Sequence, residues 1–240
     1  METRSSKRKI VKPPKPISVS VKRPKKSSTA LSAYLKSYKN GDEMHITLFR
    51  AVQKLVQPEM VFYPGCHRHI TASLTFKDVI YVDFDSKVQN CFEDDSTLQW
   101  LNDNKEYDND CKLKFICGDF THNLQGVVEE SFDLLISACA GIVSTSTSKY
   151  LRKGGYYLIS DAHYDARMLS LDNEYTLKYV WDSEKKELVN EQIVLDQHFR
   201  TLDGEKITRE MADESINKPK ARRSFKLKKE AMFYLFQKNH

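Results

Sequence analysis

The chain has 240 residues, 40% of them apolar and 11% aromatic, enough for one substantial core plus an appendage. Its net charge of +5 is unevenly spread, with ten Lys/Arg and one Glu in residues 1–28 and 28 Lys/Arg against 32 Asp/Glu in the rest. No run of about 18 apolar residues and no apolar signal core is present, and the five cysteines include no C-x-x-C pair. These features argue against a membrane protein, a disulfide scaffold and a thiolate zinc site, and predict an intracellular chain, cytoplasmic or nuclear.

Residues 1–28, rich in Pro, Ser and Lys and without apolar periodicity, are expected to form a disordered basic arm. Its clusters Lys7-Arg8-Lys9 and Lys22-Arg23-Pro24-Lys25-Lys26 fit nuclear targeting, contact with a phosphate backbone, or a solubilising tail. One domain is expected over 29–240. It opens with helices in 29–57, where Met44, Leu48, Val52 and Leu55 or Val56 share a stripe, Asp42 is a plausible cap and Pro58 a stop. From 58 to 165, short apolar runs alternate with helical segments. The runs are "MVFY" (60–63), "DVIYVDFD" (78–85), "KLKFICGD" (112–119), "FDLLIS" (132–137) and "YYLISDAH" (156–163). Near-continuous apolar runs of this length suit a parallel sheet covered on both faces. Residues 166–240 are expected to add a hairpin turning at Ser183–Lys186, a mobile loop over 203–224 and a last strand over 230–238.

In such a sheet, ligands bind beyond the carboxyl ends of the strands, near the point where the strand order reverses. The residues closing the runs are Gly65, then Asp83 and Asp85, then Asp119, then Ser137 with Ala138, and finally Asp161 with His163. Gly65 allows close backbone approach. Asp83, 18 residues further on, can accept two hydrogen bonds from a ribose diol. Asp119 can accept from an adenine amine while Ile116, Cys117 or Phe120 packs on the ring.

The order of these motifs resembles that of the class I S-adenosylmethionine-dependent methyltransferases, over roughly 59–165. "VFYPGC" is similar to the first motif of that family, "VIYVDFD" to the segment with its ribose-binding acid, and "FICGDF" to its adenine-contacting segment. "FDLLIS" resembles the fourth motif, and "LRKGGYYLIS" the turn before the fifth strand. The pattern "YPG…HIT.S" with "FDLLIS…AG" looks like a divergent subgroup. The resemblance implies a Rossmann-like α/β fold, with a mostly parallel sheet, helices on both faces and an antiparallel C-terminal strand. It implies S-adenosyl-L-methionine as cofactor, held by Gly65, Cys66, His67, Asp83, Phe84, Asp119, Phe120 and Ser137. His163 and Asp161 stand beside the expected methyl site as the catalytic pair, His163 as a general base toward a hydroxyl or amine.

The chain departs from the family where G-x-G-x-G is usual, since Cys66, His67, Arg68 and His69 follow the lone Gly65. Arg68 or Thr71 is an alternative anchor for the cofactor carboxylate. His67 and His69 alternate and with His163 could compose a three-histidine zinc set, but no signature supports a metal. Ser137-Ala138-Cys139-Ala140-Gly141 carries neither the Asn/Asp-Pro-Pro motif of amino methylases nor a Pro-Cys nucleophile, and G-x-G-x-x-G of nicotinamide enzymes is absent. The competing expectation is a catalytically inactive Rossmann-like module. It would bind nucleic acid through the arm and the Lys/Arg-rich, acid-free segment 218–229.

Overall fold

The computed structural model describes residues 29–41, 43–218 and 225–239. The arm 1–28, the proposed cap Asp42 and residues 219–224 of the basic segment lie outside the described residues. Helices α1 (Thr29–Gly41) and α2 (Glu43–Val56) come first. Ile46, Phe49 and Val52 of α2 are buried, and Gln57, at φ +49°, ends the helix before Pro58. The strands are β1 (Val61–Pro64), β2 (Asp78–Asp83), β3 (Lys112–Cys117), β4 (Phe132–Ser137), β5 (Leu151–Ser160), β6 (Tyr175–Asp182), β7 (Glu187–Val189) and β8 (Phe233–Lys238).

They form one sheet in the order β3-β2-β1-β4-β5-β8-β6-β7. Strands β1 to β5 are parallel to their neighbours, and β8 lies antiparallel between β5 and β6. The order reverses at β1, where Val61 pairs with both Val79 and Leu134. The sheet is therefore the expected Rossmann-like one, with its antiparallel C-terminal strand.

Side chains alternate along each strand between two apolar layers. Val61 and Tyr63, Val79 and Tyr81, and Leu134 and Ile136 join one core with Phe49 and Val52 of α2. Phe62, Ile80 and Val82, Leu135, Tyr157 and Ile159 join the other, against Ala166 and Leu169 of α7 (Asp165–Ser170). Burial on both faces explains why these strands read as continuous apolar runs. At the edge, β3 exposes Lys112 and Lys114, and such charges discourage further strand pairing.

Four segments differ from expectation. The helical stretch after β2 divides into a 3₁₀ turn (Ser86–Val88), α4 (Gln89–Glu93) and α5 (Asp95–Asn104). The break is at Asp94, whose carboxylate accepts the Thr97 N–H at 3.1 Å and starts α5 anew. "RKGG" is no turn before the fifth strand but lies inside β5, at a register shift against β4. There Gly154 has φ +75°, and a Cβ on Gly155 would stand 2.9 Å from the Arg152 carbonyl. The hairpin β6–β7 turns at 183–186 as expected, but its tail forms α8 (Gln192–Leu195). The expected loop over 203–224 holds α9 (Arg209–Asn217), capped by the Thr208 side chain and burying Ala212 and Ser215. The remaining helices are α3 (Ala72–Thr75) and α6 (Ser144–Thr147).

Candidate functional site

The carboxyl ends of β1, β2, β4 and β5 meet at one edge of the sheet. At the end of β1 the chain turns sharply, the Gly65 and Cys66 N–H groups both donating to the Val82 carbonyl, at 2.8 and 3.3 Å. Gly65 has φ +66°, and a Cβ there would lie 2.1 Å from the Ala140 Cβ. The glycine is thus required by the loop after β4, which packs directly against it; Phe120 stands 3.5 Å from the same point. His67 takes φ +47°, the left-handed backbone where glycine is the easier residue.

Asp83 holds this loop to β2. Its two carboxylate oxygens accept the N–H groups of His67 (2.8 Å) and Asp85 (2.9 Å), and the residue is 7% exposed. Each oxygen still has a lone-pair site for a further donor. Beside it Phe84 is 75% exposed, a bare aromatic face at the strand end. Across the β2–β3 junction, Asp119 is exposed, its side chain half open to solvent, 50% by relative area. It accepts the Thr121 hydroxyl (2.7 Å) and N–H (2.9 Å), which hold its carboxyl below the usual range.

Other predicted residues face elsewhere. Cys66 is 2% exposed, its Sγ within 3.6 Å of the Val82 carbonyl, and burial followed by the Asp83 charge pushes its thiol well up. Ser137 is 1% exposed and donates its hydroxyl to Asp165 at 2.5 Å. Asp165 also takes the Ser144 N–H and hydroxyl, and burial raises its carboxyl despite those donors. The side chains of Cys66 and Ser137 are therefore parts of the scaffold beneath the edge. His69 packs inward, bonded to Tyr63 Oη at 2.9 Å, its ring 4.8 Å from that of His45. His67 is exposed, so the alternating pair does not converge. Among the described residues no cluster of three or more His, Cys, Asp or Glu is placed to hold a metal.

Beyond β5, His163 (φ +61°) and Tyr164 (φ +70°) are consecutive left-handed residues that start α7. His163 is exposed at this turn. Asp161 is not: Arg167 donates its N–H (3.1 Å) and Nε (2.7 Å) to the carboxylate. Burial raises the Asp161 carboxyl while Arg167 opposes the shift. Arg167 is the residue that sequence reading missed. It also donates to the Phe225 carbonyl (2.8 Å) and to Glu230 (3.1 Å), with its guanidinium 4.8 Å from the Tyr164 ring and 4.9 Å from that of Phe225. Its only local signal is its position in "SDAHYDAR", six residues after Asp161.

No family model matches this chain, and no curated protein matches it. Solved structures do. A methyltransferase from Geobacter sulfurreducens is 17% identical over 65% of this chain and 85% of its own, with a TM-score of 0.45. The plantazolicin methyltransferase BpumL, solved with SAH, is 10% identical over 88% of this chain and 89% of its own, with a TM-score of 0.47. The [4+2]-cyclase SpnF is 12% identical over 49% and 43%, at 0.36. Likenesses this distant leave the decision to the strand order β3-β2-β1-β4-β5 with the antiparallel β8 inserted before β6. The fold is the Rossmann-like class I methyltransferase fold. Fold alone does not assign an activity. No helix among the described residues is long and apolar enough to cross a membrane.

Proposed function

We propose that this chain is an S-adenosyl-L-methionine-dependent methyltransferase that acts on a hydroxyl or amine acceptor. The observation that carries the reading is the group beside the reversal of strand order. The Asp83 carboxylate, the bare Phe84 ring and the open Asp119 carboxylate stand together at the ends of β2 and β3. The donor set suits an adenosyl group: Asp83 for the ribose diol, Phe84 and Phe120 for the base, and Asp119 for its exocyclic amine. Gly141, at φ +103° with nothing within 4 Å of a Cβ, leaves an open cradle in the loop after β4. His67 and Arg68, exposed on the β1 loop, are the candidates to receive a carboxylate, whereas Thr71 is buried and bonded to Tyr34 Oη at 2.8 Å.

When bound, this cofactor supplies an electrophilic methyl group. The chain's share is to orient the acceptor and take its proton. His163, exposed beside the end of β5, is the base for that step. Asp161, committed to Arg167, is a positioning residue that holds the strained 163–164 turn.

Titration calorimetry with S-adenosylmethionine and its demethylated product tests the reading. Both should bind, and Phe84→Ala should weaken binding about tenfold, a loss of stacking worth about 1–1.5 kcal/mol, without lowering the melting temperature. Absence of binding of either ligand to folded protein would sink the assignment. It would favour the inactive module, a reading supported by the packing of Ala140 against Gly65 and by the missing glycines. That module would engage nucleic acid through 1–28 and 218–229. Deleting 1–28 should then lower affinity and flatten its salt dependence.

A further inference from the structure

A cavity of about 490 Å³ opens where β6 ends, between the β6–β7 turn, α8 and the segment leading into β8. That is within the size range of small-molecule sites. Val180, Trp181, Val189, Val194, Ala231 and Met232 supply its apolar wall, facing an equal number of polar and charged residues. A second hollow of about 200 Å³ lies beside α8, against Phe199 and Phe236. His198 lines both.

Among the described residues, Tyr175 Oη, Trp181 Nε1 and both His198 nitrogens line these hollows without a partner, and His198 is the side chain with two such atoms. It is 5% exposed, and neither ring nitrogen completes a hydrogen bond among the described residues. The Lys229 backbone stands near enough to favour protonation a little but does not reach hydrogen-bond geometry. Its ring meets the Tyr234 ring edge to face at 5.5 Å. Leaving buried polar atoms unmade costs about 1–3 kcal/mol each, so such a group calls for a partner. Burial and the Lys229 charge push its pKa down to about 4, and the neutral ring offers one donor and one acceptor.

The rim narrows what that partner can be. Asp182, Glu184 and Glu230, the last bonded to Arg167, disfavour anions. The Lys229 ammonium, bonded to Gln197 Oε1 at 3.3 Å, disfavours a cation beside His198. A hydroxyl can donate to the unprotonated imidazole nitrogen or accept from the protonated one, and in the larger cavity the attached ring would meet Trp181 and the Met232 thioether. We propose that His198 and its two flanking cavities form a second small-molecule site, for an uncharged aromatic alcohol. With β2 and β6 five strand spacings apart in the sheet, this site stands roughly 24 Å along from the Asp83 group. It is independent of the methyltransferase reading.

Phenol and toluene are the probes, one with the hydroxyl and one without. The chain has two tryptophans, so Trp100→Phe leaves Trp181 in the cavity wall as the reporter. Phenol should change its emission saturably in the millimolar range, binding about tenfold more tightly than toluene, the share of one hydrogen bond. His198→Phe should remove that preference while the melting temperature holds or rises. Equal affinities for the two probes, or no saturable response to phenol, would overturn the proposal. Should the variant misfold, ring ¹⁵N shifts of His198 in the wild-type chain decide the question. They should move on saturation with phenol, and unmoved signals would also refute the site.

Discussion

Gly65 meets two constraints at once, a φ of +66° and the Ala140 methyl group pressed against its Cα. A side chain there pays for left-handed backbone, on the order of 1 kcal/mol, and for overlap, about 1–3 kcal/mol more. Gly65→Ala is expected to lower unfolding free energy by at least about 2 kcal/mol in denaturant titration. Adding Ala140→Gly should restore the overlap part and leave the backbone part, so the double variant separates the two causes. Asp83 presents the same ambiguity from the opposite side. Asp83→Ala removes the acceptor of two half-buried backbone N–H groups, costing about 1 kcal/mol whether or not a cofactor binds. A loss of binding in that variant would therefore not distinguish a ribose contact from a collapsed loop. The exposed Phe84 is the cleaner probe because no fold contact depends on its face.

At the scale of elements, Arg167 ties α7 to two segments far along the chain, Phe225 and Glu230, while pairing with Asp161 at the end of β5. Its side chain is 7% exposed, so the pair is a buried one. Arg167→Met should cost about 3–5 kcal/mol, because Asp161 is then left charged and unpaired. Asp161→Asn in the same chain should recover part of that loss. Amide hydrogen exchange should speed up in 225–231 and at the 163–164 turn before it does in β1 or β4. Protection unchanged in those segments would mean that the clasp does not hold them. The helices teach a related point. Asp94 cuts one amphipathic stretch into α4 and α5 by capping, and Thr208 starts α9 in a segment that is polar enough to read as a loop. Both caps are visible as residue types, but whether a cap closes depends on the chain geometry around it.

For the whole molecule, acid stability carries the signature of His198. Its pKa is near 4 in the folded chain and near 6.5 when unfolded, so between those values the unfolded chain binds more protons. Stability contributed by the neutral ring is complete above about pH 6.5 and is lost as pH falls through 6.5 toward 4. The loss is up to about 3 kcal/mol. Asp161 and Asp165 are shifted upward by burial and act in the opposite sense: they favour the fold at low pH, and that contribution fades as pH rises through their folded values. Urea titrations of the wild type and His198→Phe from pH 4 to 7 separate these effects. The variant should lose less stability on acidification than the wild type, and parallel curves would contradict a buried neutral imidazole.

The succession of strands, the hairpin turn at 183–186 and the acids at strand ends were all legible in the amino-acid order. Each is local: period-two burial on both faces produces a continuous apolar run, and a strand's last residue is polar where the chain leaves the core. What residue order could not disclose is who meets whom across the fold. Ala140 lies 75 positions from Gly65, and Phe225 is 58 positions from Arg167. Those contacts decide that Gly65 serves loop packing, that Asp161 is spent on an arginine and that Ser137 and Cys66 lie beneath the site. His198, in an ordinary polar stretch, became significant only when folding enclosed it and left its ring nitrogens without a hydrogen bond among the described residues. Periodicity reports which side of an element avoids water, whereas hydrogen-bond partners and cavities come from segments distant in sequence, and tertiary packing alone brings those together.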